Sequence, residues 1–217
     1  MVKAGENIRQ LARKRKKQAR KKFLIASALF VAPVLPYFFF NNIGLALFVH
    51  VGCWVYASIL FQKGQKLLSA AKRSSQGAEA EVSTALILSE LIQEGWKAEY
   101  NIPLKYWGDA DAFLCSPKGN YFVVDTKSDG GTVFFDGTRL MKRYGKKIYS
   151  FSNNKDILKA VKGQAATLKE IYRVRFVTPI LCFTKAKLNI RTIDNKIENV
   201  YVLNNSSLVR MLRRLDR

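Results

Sequence analysis

The sequence predicts an α/β domain, a mixed sheet flanked by helices, preceded by a two-helix transmembrane hairpin. Three observations carry this expectation. No Asp, Glu, Lys or Arg occurs between Phe23 and Phe61. Beyond residue 77, one helical pattern is followed by short apolar runs punctuated by Gly and Pro, and helical patterns then return. The composition is basic, with 37 Lys+Arg against 16 Asp+Glu and a formal net charge of +21, which directs attention to polyanions such as nucleic acid or anionic lipid.

The first 22 residues are a basic arm. Ten Lys and Arg between Lys3 and Lys22 face Glu6 alone, a net of +9 (10 − 1). With so little to bury, the arm does not make a core of its own. Two apolar segments follow, Phe23–Phe40 and Ile43–Phe61, separated by Asn41-Asn42. At about 1.5 Å rise per residue each spans roughly 27–28 Å, close to the hydrocarbon thickness of a bilayer. Pro33 and Pro36 are tolerated in a membrane helix, where neighbouring groups satisfy the freed carbonyls. A signal peptide has a shorter apolar core and a small-residue cleavage site, and a soluble helix pair shows a polar face; neither feature is present. The arm precedes the first segment, Lys63, Lys66, Lys72 and Arg73 follow the second, and the turn carries no charge. The expected topology therefore has two spans with both ends cytoplasmic. His50 and Cys53 fall within the second span, where a neutral imidazole facing the partner helix is the simplest reading. Residues 63–76 read as a linker, and 77–217 as one soluble domain.

Within that domain a helix is expected from about Glu79 to Glu94, ending at Gly95. Strands are expected near Lys97–Leu104, Asp111–Cys115, Tyr121–Thr126 and Thr132–Phe135. A helix over Ile157–Arg173 comes next, then a buried strand near Phe176–Phe183, a strand near Val200–Leu203 and a basic helix from about Ser206.

The chemistry available is narrow. His50 is the single histidine, which removes Ser-His-Asp catalysis from the soluble domain, together with His-rich zinc sites. Cys53, Cys115 and Cys182 are far apart and form no CxxC pair, as suits a reducing compartment. Carboxylates, lysines and a metal ion remain. The apolar run Tyr121–Val124 ends in Asp125-Thr126-Lys127, so Asp125 and Lys127 project from the same strand face. Asp111 opens the preceding strand, and a hairpin through Pro117-Lys118-Gly119 sets the two aspartates side by side. Converging carboxylates call for a hard divalent cation, Mg²⁺ or Mn²⁺, with Lys127 orienting the attacking water and offsetting phosphate charge. An ordinary strand-end salt bridge is the competing reading, and local pattern alone does not separate the two. Asp109, two residues before Asp111, competes for the second acidic position, although Trp107-Gly108 assigns it to the turn. A second Asp-x-Lys, Asp194-Asn195-Lys196, reads as a hairpin turn.

Four separated motifs extend this reading: Gly77-Ala78-Glu79-Ala80-Glu81, Asp111 to Gly119, Val123 to Lys127, and Lys162-Gly163-Gln164. In order and spacing they resemble the NERD (nuclease-related) domain, a family placed among the PD-(D/E)XK, restriction-endonuclease-like nucleases. The resemblance covers roughly residues 77–184. It implies a restriction-endonuclease-like sheet, with Asp111, Asp125 and Glu81 holding the metal, Lys127 as the motif lysine and Gln164 as the glutamine on the helix after the core sheet. Ala110 stands where the motif name has Pro, and Asp125 where Glu is commoner; the superfamily tolerates both.

Arg139, Lys142, Arg143, Lys146 and Lys147, interleaved with Tyr144 and Tyr149, suit a phosphate-tracking surface. The expected protein is a membrane-anchored, metal-dependent nuclease acting on nucleic acid, with DNA favoured. Its basic arm is free to meet anionic lipid headgroups or nucleic acid. The alternative is a non-catalytic, membrane-tethered nucleic-acid-binding protein with a degenerate nuclease fold.

Overall fold

A computed structural model describes residues 5–32, 43–151 and 156–217. Two compact units emerge: Asn7–Gln76, and Gly77–Arg217 together with Gly5 and Glu6. In the first unit, α1 (Glu6–Val31) carries the basic arm directly into the first apolar segment. It runs in the opposite sense to the early part of α2 (Ile43–Gln93). Arg15 Nη1 donates to Ser74 Oγ at 2.7 Å, Phe23 meets Phe61 with ring centroids 5.3 Å apart, and Phe30 meets Trp54 at 5.2 Å. Ala26, Ala57 and Leu60 form the buried seam, where small side chains let the helices approach closely. The His50 ring lies against Trp54 of its own helix, with centroids 5.0 Å apart.

The apolar part of α2 is long and hydrophobic enough to cross a membrane, and only 17% of its most apolar window is buried. A soluble core helix buries most of such a stretch, whereas here Phe48, Val51 and Val55 stand exposed. The expected turn at Asn41-Asn42 and the end of the first expected span, with Pro33 and Pro36, lie outside the described residues.

Residues 63–76, read as a linker, correct the expected start of the helix that follows. They are helical throughout, as part of α2, so the helix expected from Glu79 begins far upstream. The segment has no proline and is rich in Lys, Leu, Ala and Gln, all good helix formers, so nothing in it interrupts hydrogen bonding. α2 stops where expected: Gly95 adopts φ +89°, and Trp96 N–H reaches back to the Leu91 carbonyl at 3.1 Å.

The second unit is built on a six-stranded mixed sheet. Its strands are β1 (Lys97–Leu104), β2 (Gly108–Cys115), β3 (Tyr121–Lys127), β7 (Thr178–Phe183), β10 (Val200–Asn204) and β9 (Lys196–Ile197), in that spatial order. β1, β2 and β3 pair antiparallel, β3, β7 and β10 pair parallel, and β9 closes the edge antiparallel. Alternation along β3 divides the core. Phe122 and Val124 face Leu88 and Leu91 of α2 and Leu208 and Leu212 of α4 (Asn205–Leu215). Val123 faces Leu158, Val161 and Leu168 of α3 (Ile157–Ile171). Helices thus cover both faces of the sheet, the layered α/β arrangement expected. Asp156 caps α3 by accepting from the N–H groups of Leu158 and Lys159 at 3.0 and 3.1 Å. The helix ends two residues earlier than expected because Arg173 turns left-handed, with φ 52°.

A second sheet was not foreseen. It has the order β6-β5-β4-β8, with β4 (Thr132–Phe135), β5 (Leu140–Tyr144), β6 (Lys147–Ser150) and β8 (Lys187–Asn189). The charged residues of β5 and β6 hid their strand character, because these strands bury few side chains. Two local corrections follow. β2 begins at Gly108, so Asp109 belongs to the strand and not to the turn. The hairpin near Asp194 closes one step later, at Glu198-Asn199 (φ 46° and 67°), while Ile193–Asn195 form a 3₁₀ turn.

Candidate active site

The site develops where the pairing of β2 with β3 ends, while β2 stays paired with β1 and β3 with β7. The β2–β3 register ends with Ala112 opposite Val124, and Asp111 and Asp125 are the next residues along the two strands. Asp125 is 5% exposed, and its Oδ1 accepts from Lys127 Nζ at 2.7 Å. The Thr126 N–H donates to Asp111 Oδ2 at 2.6 Å, tying the β2 carboxylate to the β3 backbone. Glu81, on α2, is 6% exposed, with Oε2 buried and lacking a hydrogen-bond partner. The Gly5 backbone hydrogen-bonds the Glu81 carboxylate.

The carboxylates sense one another. Burial, with Asp125 and Asp109 adding repulsion, pushes Glu81 up from 4.5 to about 7. Burial, then Asp125 and Glu81, holds Asp111 well above the ordinary carboxylate range. For Lys127, burial opposes the ammonium, but Asp125 and Asp111 outweigh it and raise the group. Lys127 is therefore a cation held among acids, which suits charge stabilisation better than proton abstraction. Among the described residues, no group of three or more His, Cys, Asp or Glu side chains forms a ready metal cage. Glu81, Asp111 and Asp125 couple electrostatically without that degree of convergence.

Gln164, on α3, is 3% exposed and does not sit on an open helix face. Its Nε2 donates to the Asp109 carbonyl at 3.2 Å and to the Trp107 carbonyl at 3.4 Å, leaving Oε1 buried without a partner. Gly163 explains the motif's neighbouring position. A Cβ there would lie 2.2 Å from the Trp107 ring, so the indole occupies the space a side chain would need. Together Gly163 and Gln164 fasten the β1–β2 turn that delivers Asp111. Sequence reasoning missed the Trp107 lock and the Thr126 N–H; the glycine inside a helix was the one available signal. Asp109 is exposed and lies beside the site through its effect on Glu81, while Asp111, like Asp125, adjoins the last pair of the β2–β3 register.

The NERD (nuclease-related domain) family model matches residues 76–184. The chain belongs to the NERD family. The matched segment runs from α2 through β7 and contains Glu81, Asp111, Asp125, Lys127 and Gln164. Its mixed sheet and flanking helices are consistent with placement in the PD-(D/E)XK superfamily. No curated protein and no solved structure matches the chain.

The five basic residues expected to track phosphate differ in their surroundings. Lys142 turns inward, donating to Asp129 Oδ1 at 2.6 Å and lying over the Phe151 ring. Arg139 stands 3.9 Å from Asp136. Arg143 covers the Phe134 ring at 4.9 Å, and Lys146 and Lys147 are exposed around the β5–β6 turn. Tyr144 accepts from the Gly130 N–H at 3.1 Å and meets Tyr149 edge-on.

Proposed function

We propose that this NERD-family protein is a membrane-anchored, metal-dependent nuclease that hydrolyses phosphodiester bonds of nucleic acid, with DNA favoured over RNA. The observation that carries the reading is the electrostatic coupling of Glu81 on α2 with Asp125 on β3, and of Asp111 on β2 with both, beside the Lys127–Asp125 ion pair. Lys127 offsets part of this repulsion through Asp125, and a divalent cation would offset more of it. The donors are all carboxylate oxygens, and Glu81 Oε2 is a buried acceptor without a donor; both features suit a hard divalent ion. Asp111 and Asp125, with Glu81, would hold Mg²⁺ or Mn²⁺, which when bound supplies Lewis-acid polarisation of a phosphoryl oxygen and lowers the pKa of a water. Lys127, kept protonated by Asp125, offsets the charge that develops on the phosphate. Gln164 positions the Asp111 strand through the Trp107 and Asp109 carbonyls.

The membrane reading rests on the exposed apolar stretch of α2 and on the charge-free segment that precedes it. Two spans with both termini cytoplasmic satisfy the distribution of Lys and Arg. The basic arm on α1 then lies where anionic headgroups are available.

A non-catalytic nucleic-acid-binding protein is the second reading, favoured by the lack of a preassembled metal cage among the described residues. One assay separates the two. The full chain in detergent is incubated with single-stranded DNA, duplex DNA and RNA in Mg²⁺, Mn²⁺ or EDTA. Cleavage that needs the cation and is lost in Lys127→Ala supports the nuclease. Undiminished cleavage in EDTA or in Lys127→Ala overturns it, and binding without cleavage establishes the second reading.

A further inference from the structure

The second sheet ends in a pocket of about 320 Å³ lined by Phe134, Phe135, Arg143, Asn189, Arg191 and Thr192, with Ile190 at its side. Phe134, Phe135 and Arg143 belong to β4 and β5. The other four belong to β8 and the turn after it, beyond residue 184, where the family match ends. The register aligns Phe134 with Asn189 across the parallel β4–β8 pair, which brings the two groups together.

The pocket's charge is of one sign. Among the described residues neither Arg143 nor Arg191 forms an ion pair, while the acids nearest in sequence are engaged elsewhere. Asp136 stands near Arg139 and accepts from the Thr138 and Arg139 N–H groups, and Asp194 pairs with Arg214. Arg143 holds its guanidinium over the Phe134 ring at 4.9 Å, presenting a flat cation backed by an aromatic surface. Asn189 and Thr192, which carry an amide and a hydroxyl, also line the pocket. A flat guanidinium offers stacking to a planar ligand, an advantage a lipid headgroup cannot use. Arg191 adds a second, separate positive charge suited to a phosphate.

We propose that this pocket holds one nucleotide of an unpaired nucleic-acid strand, its base stacked on Arg143 and its phosphate held by Arg191 and Thr192. The inference builds on the nucleic-acid reading above and assigns the substrate's form. Duplex bases are already stacked on their neighbours, so only a single strand can offer a free base face. Phe134 follows Lys127 by seven residues, so it lies within about 23 Å of the candidate active site even with the chain fully extended. The pocket would thus grip a strand a few nucleotides from the scissile bond.

The test measures binding and cleavage separately with the full chain in detergent micelles. Anisotropy of a fluorescein-labelled oligothymidylate and of a duplex of equal length is recorded in EDTA across a salt series. Arg143→Ala and Phe134→Leu are expected to weaken single-strand binding about tenfold while changing duplex binding little. Arg191→Ala is expected to weaken binding and to lower the salt slope for the single strand by about 0.7. Arg143→Lys, which keeps the charge and loses the plane, is expected to fall between wild type and Arg143→Ala. It also serves if the alanine variant fails to fold, as judged by tryptophan fluorescence.

Unchanged single-strand affinity in folded variants overturns the pocket, whether or not the protein cleaves. Equal losses for single strand and duplex overturn the unpaired-strand assignment. Loss of binding to phosphatidylserine vesicles with oligonucleotide binding intact also overturns it, in favour of a lipid headgroup. Arg143-dependent binding in a chain that shows no Mg²⁺-dependent cleavage leaves the pocket standing and removes the catalytic reading.

Discussion

Replacing Glu81 with Gln should stabilise the protein, and by an amount that depends on pH. Glu81 is almost fully buried, its Oε2 lacks a partner, and its value rises from 4.5 to about 7 through burial and then through Asp125 and Asp109. A carboxyl raised on folding binds more protons folded than unfolded. Stability therefore falls as pH rises from 4.5 to 7 and stays low above that window. At 1.36 kcal/mol per pKa unit, the gap of about 2.5 amounts to about 3 kcal/mol at pH 8.5 and under about 1 kcal/mol at pH 5. These figures are upper bounds because Asp111 competes for the same protons. Glutamine keeps the shape and can still accept from the Gly5 backbone, but it carries no charge. Denaturant unfolding of both proteins in EDTA, followed by fluorescence of buried Trp96, gives the difference directly. A gain near 3 kcal/mol at pH 8.5 that shrinks at pH 5 supports the reasoning. An equal gain at both pH values, or a loss at pH 8.5, would refute it and locate the negative charge elsewhere.

Other consequences follow from the same geometry. Mg²⁺ should raise the thermal midpoint of the wild type, while Asp111→Asn and Asp125→Asn should lose most of that shift in a calorimetric titration. Lys127→Ala should reduce Mg²⁺-dependent cleavage by about 10²–10⁴-fold with little change in oligonucleotide affinity measured in EDTA. Gly163→Ala places a methyl 2.2 Å from the Trp107 ring and should cost about 1–3 kcal/mol, with Trp107→Leu in the same chain recovering part of it in a double-mutant cycle. Asp156→Ala removes the α3 cap and should lower unfolding free energy by about 1 kcal/mol, read from the denaturation midpoint.

Much of the fold was legible because its signals are local. β1 and β4 coincide with the expected strands, and α3 begins at the expected residue. Alternating apolar runs bounded by Gly and Pro need no tertiary context to be read. The start of α2 was missed for the opposite reason: the polar composition of residues 63–76 describes solvent exposure, whereas Lys, Ala and Gln are as content in a helix as in a loop. β5 and β6 failed because charge masks strands that bury little. Asp111, Asp125 and Lys127 were candidates from the spacing of a hairpin, which alone did not separate a metal site from a strand-end salt bridge. Glu81 and Gln164 entered only through family resemblance, since a glutamate near a helix start or a glutamine on a helix has many ordinary uses.

The sequence by itself determined the division between a charge-free helical segment and an α/β domain, and it required any chemistry there to run on carboxylates and lysine. Those are consequences of composition and of periods of two and 3.6 residues, which need only neighbouring positions. Only the tertiary structure decided which carboxylates feel one another and which cations remain unpaired. Asp111 and Asp125 both adjoin the last β2–β3 pair because the two strands meet in one register and not another. Lys142 is spent on Asp129, while Arg143 and Arg191, 48 residues apart in the chain (191 − 143), come to line one pocket. Charge acts through distance, and distance between remote residues is set by packing alone.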